Sequence, residues 1–186
     1  MSVKDHTNIL RKMNAIYNAA NFLQENFVGK KVTYVGEEST VSVIFSHTNF
    51  MHLCGIDYRR GSALFFQDAL VEKIDLQDVK IKIDSTTFQK LQVVGSLKLL
   101  LSEDISIVNN GVYSSLRYDA AIRTRKKILA LSLKRDGLTY VPISLLNLTS
   151  KEVGSGQKVT HIFSEDLISG ERKTIMEIAD LQVDSP

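Results

Sequence analysis

The sequence is poor in the residue types that mark several protein classes. Its 186 residues include two prolines, ten glycines and one cysteine. So little proline and glycine excludes a collagen-like or low-complexity disordered chain. The single Cys54 excludes an internal disulfide framework and a multi-cysteine zinc site, and we expect it to be a small buried hydrophobe.

Long apolar runs are also missing. No segment approaches the roughly 18 residues that a membrane span needs, and the start, MSVKDHTNILRK, lacks the apolar stretch of a signal peptide. Hydrophobic residues make up 44% and charged residues 24%, as in ordinary globular proteins. We therefore expect a soluble, cytoplasmic protein that folds as one domain over residues 1–186, with no membrane contact.

The net charge of +2 is unevenly distributed. Residues 111–150 carry seven lysines and arginines against Asp119 and Asp136, whereas the last 36 residues carry seven acids against four bases. This asymmetry indicates either a polyanion bound on one face or simply a solvated strand surface.

Two kinds of hydrophobic pattern divide the chain. Apolar residues recur every three or four positions over 5–27, 62–74 and 86–101, which predicts three helices. Two β-rich runs at 31–35 and 40–46 predict a hairpin. Segment 47–58 is apolar but follows neither period.

After residue 101 the chain becomes β-rich. The predicted strands are 105–108, 113–118, 127–133, 138–143, 158–163 and 172–178, with turns at sites such as Asn109-Asn110-Gly111. The connections are too short for crossover helices, so consecutive strands should be antiparallel neighbours. The fold class is therefore α+β, with N-terminal helices followed by an antiparallel β-sheet.

Several common kinds of active site have no sequence signature here. There is no glycine-rich nucleotide-binding loop and no nucleophile elbow. The histidines, His6, His47, His52 and His161, do not have the spacing of metal ligands. We expect no cofactor and no metal site.

Four polar residues are candidate site residues, and the first three lie within apolar segments. His52, which we expect to be half-buried, is either a general acid or base or a core histidine bonded to backbone. Lys90 either holds its ammonium toward a phosphate or extends to water. Ser144 follows Pro142 and suits a strand-end cap or a phosphate contact. Asp119 either orients a cation or begins a turn.

Three short motifs occur in order along the chain. They are Asn49-Phe50-x-His52-Leu53-x-Gly55-Ile56, Thr87-x-x-Lys90-Leu91 and Tyr140-Val141-Pro142-x-Ser144-Leu145-Leu146. Over residues 40–148 they resemble the phage and prophage branch of the barnase–EndoU–colicin–RelE-like (BECR) nucleases. The resemblance implies helices followed by a four-stranded antiparallel sheet. It divides the chain into an N-terminal helix appendage (1–30), a nuclease-like core (40–148) and a C-terminal β extension (149–186).

The resemblance also implies a chemistry, namely metal-independent cleavage of RNA by attack of a 2′-hydroxyl. In that chemistry His52 is the general base or acid, Lys90 offsets phosphoryl charge together with Arg117 or Arg123, and Ser144 bonds a phosphate oxygen. The residues expected to bind the RNA backbone are Arg117, Arg123, Arg125, Lys126 and Lys127. RNA is the expected partner, and an antitoxin or a host target is a second one.

A different function is also consistent with the sequence. The chain departs from the family's pattern at Ile143, where the family carries a polar residue, often asparagine. It has no second well-placed histidine, and its net charge is near zero. These features favour a catalytically inactive nuclease fold from a phage or mobile element that binds and inhibits a host or defence protein. The sequence leaves the oligomeric state open.

Overall fold

The computed structural model describes residues 2–82, 84–126, 128–149, 151 and 153–178. The α-helices in these residues are α1 (Val3–Leu10), α2 (Met13–Asn26), α3 (His47–Cys54), α4 (Ser62–Leu70) and α5 (Thr86–Val93), and a 3₁₀ helix spans Val94–Leu101. The strands are β1 (Lys30–Gly36), β2 (Thr40–Ile44), β3 (Ile56–Tyr58), β4 (Val79–Ile81), β5 (Ile105–Tyr113), β6 (Leu116–Thr124), β7 (Leu129–Asp136), β8 (Thr139–Asn147), β9 (Gln157–Asp166) and β10 (Arg172–Glu177).

Eight of the described strands form one sheet in the order β1-β2-β8-β7-β6-β5-β9-β10. β9 pairs with β5 through its first residues and with β1 along the rest, so the pairings close seven strands into a ring. β10 lies outside the ring, on β9. All neighbours in this sheet are antiparallel except β2 and β8, which meet in parallel at Val43 and Tyr140. β3 and β4 form a separate two-stranded sheet.

The structure confirms the predicted α+β class, but several local predictions were wrong. The predicted helix 5–27 is two helices, because the chain tightens where the Lys12 amide donates to the Ile9 carbonyl at 2.7 Å. This break lets Ile9 and Met13 both face the core. Segment 47–58 forms α3 and β3, and the predicted helix 86–101 changes to a 3₁₀ helix after Val93.

The predicted turn at residues 109–111 was also wrong. β5 continues through it to Tyr113, and the hairpin turns at Ser114, whose φ is +55°. Gly111 has a different purpose: a Cβ there would lie 2.6 Å from the hydroxyl of Tyr118, its partner in the register. Gly111 is therefore a glycine because Tyr118 of β6 approaches it closely, and not because the chain turns there.

The expectation that consecutive strands are neighbours holds from β5 to β8 and fails at β9. Instead of pairing with β8, β9 crosses to β1 and β5. Its Ile162 belongs to the main core between helices and sheet, as does Ile16 of α2. A second cluster lies on the other face of β5–β8 and consists of Val108, Tyr118, Ala121, Ala130, Leu146, Leu148 and Val153. Among the described helices, none is long and apolar enough to cross a membrane.

The division into an appendage, a core and an extension stays a prediction, and truncation tests it. Ending the chain after Leu148 removes β9 with Val159 and Ile162, which are both 0% exposed, and leaves the edges of β1 and β5 unpaired. We expect this chain to lose the cooperative urea transition followed by circular dichroism. A chain ending after Ile178 keeps every described strand and should unfold as the full chain does. A cooperative transition in the shorter chain would contradict this expectation.

Candidate functional site

Hydrogen bonds join the three sequence motifs where α3, α5 and β8 pack together. Nδ2 of Asn49 in α3 donates to the Pro142 carbonyl of β8 at 3.1 Å. Nζ of Lys90 in α5 donates to the His52 carbonyl at 2.7 Å. These contacts bring together segments that are far apart in the sequence.

The end of α3 lies directly against the first turns of α5. α3 stops at Gly55, whose φ of +66° is the left-handed conformation that glycine adopts most easily. The Thr87 hydroxyl donates to the Gly55 carbonyl and accepts from the Lys82 amide. The Lys90 ammonium bonds the last turn of α3, where a cation is favoured by the helix dipole.

A pocket of about 140 Å³ opens beside this contact. Its walls are α5, the tip of the β5–β6 hairpin and the second half of β8. The lining residues are Thr86, Gln89, Lys90, Tyr113, Ser114, Ser115, Leu116, Ser144, Leu145, Leu146 and Asn147. Two predicted site residues, Lys90 and Ser144, therefore line one pocket, and we call it the Lys90 pocket.

Hydrogen bonds fix the walls of the Lys90 pocket. The Tyr113 hydroxyl donates to the Asn147 carbonyl at 2.6 Å, which holds the hairpin tip over β8. Nδ2 of Asn147 donates to the Gln89 carbonyl at 3.1 Å and to Oε1 of Gln92 at 2.8 Å. Asn147 thus joins β8 to α5 and to the hairpin, and these hydrogen bonds hold the three walls of the pocket together.

Burial changes the acid–base properties of the groups beside the pocket. Burial, together with the nearby charge of Lys82, lowers the pKa of Lys90 to about 8. Burial raises the pKa of the Cys54 thiol, which is fully buried as the sequence predicted. Lys90 is therefore protonated at neutral pH and loses its charge at mildly alkaline pH.

His52 is exposed, and the expectation that it is half-buried was wrong. α3 turns Phe50, Leu53 and Cys54 toward the core, which leaves the His52 side chain on the solvent side. His52 lies one helical turn after Asn49, the residue of α3 whose side chain contacts β8. Its backbone carbonyl accepts from the Lys90 ammonium, so the backbone of His52 lies at the rim of the Lys90 pocket, whereas its side chain is not among the lining residues.

The predicted RNA-binding residues lie in different environments. Arg117 is exposed on β6, and Arg125 and Lys126 are exposed in the turn after it. The Arg123 guanidinium instead donates to the carbonyls of Val153 at 3.3 Å and Gly154 at 2.9 Å. Lys127 lies outside the described residues.

Asp119 lies within β6, and its side chain contacts the next strand of the sheet. Its carboxylate accepts from the Arg135 amide at 2.8 Å, and the Lys134 ammonium lies 3.9 Å from it. Both partners belong to β7, so these contacts hold β6 against β7 and leave the Lys90 pocket untouched.

Sequence reasoning missed a cation near the Lys90 pocket. Nζ of Lys151 lies 3.2 Å from the Ser114 hydroxyl and 5.3 Å from the centre of the Tyr113 ring, and both residues line the pocket. Lys151 follows β8 in a segment with no motif, so no local signal marks it.

Ile143 does not line the Lys90 pocket; it packs against the second core cluster, as do the pocket residues Tyr113 and Leu116. Its position coincides with an irregularity in the β7–β8 ladder, where Ser132 pairs with Ser144 but Leu133 pairs with Pro142. Among the described residues, no group of three or more histidine, cysteine, aspartate or glutamate side chains could hold a metal ion.

Because α3 and α5 are in close contact, we expect alanine to destabilise the protein more at Gly55 than at Gly29. Gly29 and Gly55 both have positive φ, +73° and +66°, which costs alanine roughly 1–2 kcal/mol. Only at Gly55 would the new Cβ meet other atoms, at 2.8 Å from Cδ of Lys90 and 3.1 Å from Cα of Thr87. We expect Gly55→Ala to lower the free energy of unfolding in urea by about 1–3 kcal/mol more than Gly29→Ala. Equal losses would contradict a tight contact.

Comparison with known proteins identifies the family. Residues 15–177 match the family model described as phage-Barnase-EndoU-ColicinE5/D-RelE like nuclease4. The match begins inside α2 and ends with β10, beyond the span 40–148 that the motifs indicated. Neither the curated proteins nor the solved structures yielded a match to this chain. With the family model covering most of its length, the chain belongs to the phage-associated family of barnase–EndoU–colicin–RelE-like nucleases.

Proposed function

We propose that this chain is a metal-independent endoribonuclease whose active site is the Lys90 pocket and its rim. The observation that carries the proposal is that Lys90 and Ser144, from separate motifs, line one pocket. His52 supports it from the adjacent turn of α3, because its carbonyl is bonded to the Lys90 ammonium. The pocket thus combines a cation with hydroxyl groups, and the proposal adds the His52 imidazole to them.

The proposed reaction is an attack within the RNA strand. A base takes the proton of a 2′-hydroxyl, its oxygen forms a bond to the adjacent phosphorus, and the bond from phosphorus to the 5′-oxygen breaks. An acid gives that 5′-oxygen a proton, and cations offset the charge on the phosphoryl oxygens. His52 is exposed and can reach a bound strand, so we assign it one of the two proton transfers.

The other residues have electrostatic or hydrogen-bonding roles in this proposal. Lys90 and Lys151 approach the pocket from α5 and from the loop after β8, so they flank a phosphate bound there. Ser144 bonds one of its oxygens. Arg117, Arg125 and Lys126 contact the RNA backbone away from the pocket, whereas Arg123 is left out because its guanidinium already serves two carbonyls.

The first test is cleavage of total cellular RNA and of tRNA in excess EDTA. The His52→Ala protein should cleave about 10²–10⁴ times more slowly than the parent, since it lacks a general acid–base group. His6→Ala removes an exposed histidine from α1 and should cleave at the parental rate. Cleavage by His52→Ala at the parental rate would contradict the assignment of His52.

A second test uses the lowered pKa of Lys90. Below pH 8 the ammonium is charged and offsets phosphoryl charge, whereas above it the neutral amine does not, so cleavage should slow as the pH rises through about 8. In Lys90→Arg the guanidinium stays charged and this decline should disappear. Lys73→Arg, at an exposed site after α4, should keep the parental profile.

The measurement is the initial rate of cleavage against pH, corrected by a blank without protein at each pH. Circular dichroism of each variant establishes that it is folded. A decline near pH 8 that survives in Lys90→Arg would contradict the role of the Lys90 charge.

The second candidate function is that of an inactive nuclease fold that binds and inhibits a host or defence protein. The observation that favours it is Ile143, which puts an apolar side chain where the family carries a polar one and packs it into the second cluster. Expression in growing cells separates the two candidates, because an active ribonuclease arrests growth and a binding protein need not. Absence of RNA cleavage at high protein concentration would favour this second function.

A further inference from the structure

A second groove lies across α5 from the Lys90 pocket. Its lining consists of Asn8, Arg11 and Lys12, at and after the end of α1, and Phe88 and Gln92 of α5. The groove has a volume of about 320 Å³, which is at the lower end of the range of small-molecule sites. We call it the Arg11 groove.

The Arg11 groove contains the groups that recognise a nucleotide. Arg11 and Lys12 supply cations for phosphate oxygens. Phe88 is half-buried against the main core, and its remaining face lines the groove, where a base can stack on it. Asn8 supplies an amide that can donate to and accept from a base edge, and Gln92, whose Oε1 accepts from Asn147, can donate through Nε2. All five lining side chains are thus cationic, amide or aromatic.

The two cations are available to a ligand. Arg11 is exposed and Lys12 half-exposed, at the break between α1 and α2. Neither forms an ion pair with a carboxylate in the part of the chain that the structure describes. Arg11 and Lys12 therefore carry positive charge that no carboxylate of the described residues offsets, and the accessible face of Phe88 lies beside them. This combination favours a ligand that has both phosphates and bases.

The Arg11 groove and the Lys90 pocket share α5. Gln89 and Lys90 line the pocket, whereas Phe88 and Gln92 line the groove. Gln92 also accepts from Asn147, which is a wall of the pocket, at 2.8 Å. Only the width of one helix, about 10 Å, separates the two sites, so a single strand of a few nucleotides can occupy both.

We infer that the Arg11 groove binds a nucleotide of single-stranded RNA that flanks the phosphate held in the Lys90 pocket. The inference rests on the proposed function in taking RNA as the ligand. Asn8, Arg11 and Lys12 precede residue 15, where the family match begins. The groove is therefore a feature that the N-terminal helix α1 adds to the matched region.

The experiment measures binding separately from cleavage. A fluorescein-labelled, single-stranded 2′-O-methyl RNA of about 12 nucleotides lacks the attacking hydroxyl, and its binding to the full chain is followed by fluorescence anisotropy in EDTA at several salt concentrations. Arg11→Ala/Lys12→Ala removes two cations from the groove. Lys73→Ala/Lys80→Ala removes two exposed cations elsewhere and is the matched control.

We expect Arg11→Ala/Lys12→Ala to bind about tenfold more weakly and to lower the slope of log Kobs against log salt by about 1.4, since each contact to single-stranded RNA contributes about 0.7. Phe88→Leu keeps the apolar contact with the core and removes the stacking face, and it should weaken binding about fivefold or more. Lys73→Ala/Lys80→Ala should match the parent in both quantities.

Parental affinity and slope in Arg11→Ala/Lys12→Ala would overturn the inference, as would a parent that binds no RNA at low salt. The cleavage assay separates this failure from that of the proposed function. If RNA binds through the groove but is never cleaved, the proposed endoribonuclease activity is contradicted and the groove inference is not. If Arg11→Ala/Lys12→Ala cleaves RNA with an unchanged KM, RNA binding in the groove is contradicted and the proposed endoribonuclease activity is not.

Discussion

The close contact between the end of α3 and the first turns of α5 is the constraint on which the site depends. Gly55 allows it, because a Cβ at this position would overlap Lys90. Thr87 then bonds the Gly55 carbonyl at the end of α3, and Lys90 bonds the His52 carbonyl, which also accepts from the Gly55 amide. This contact fixes the position of α5, and α5 supplies one wall of the Lys90 pocket and one wall of the Arg11 groove.

The same contact explains why Lys90 has an unusual acidity. Its aliphatic chain is covered by α3 while its ammonium bonds a carbonyl and borders the pocket, so the charged form is partly removed from water. A lysine in this position both stabilises the helix pair and carries a charge that depends on pH near 8. One residue therefore connects the packing of the helices to the electrostatics of the pocket.

The closed arrangement of the strands positions the rest of the site. β8 is held by β7 on one edge, while β2 covers the other edge only near Tyr140. The remainder of that edge faces α3 and α5, so the Pro142 carbonyl and the Asn147 side chain are available to bond them. The β5–β6 hairpin then reaches over β8 through Tyr113 and completes the pocket.

The sequence by itself determined the fold class, most of the helices and strands, and the motifs that contain Lys90 and Ser144. These features follow from local periodicity and from short residue patterns, which neighbouring positions specify. The apolar periodicity did not separate α1 from α2. The turn predicted at Gly111 was wrong, because a glycine is needed there to make room for Tyr118 on the next strand.

Only the tertiary structure decided the path of β9, the exposure of His52, the engagement of Arg123 with carbonyls and the position of Lys151 beside the pocket. Each of these depends on groups that are distant in the chain. Local patterns cannot specify such contacts, because they form only when packing of the core brings separate elements together.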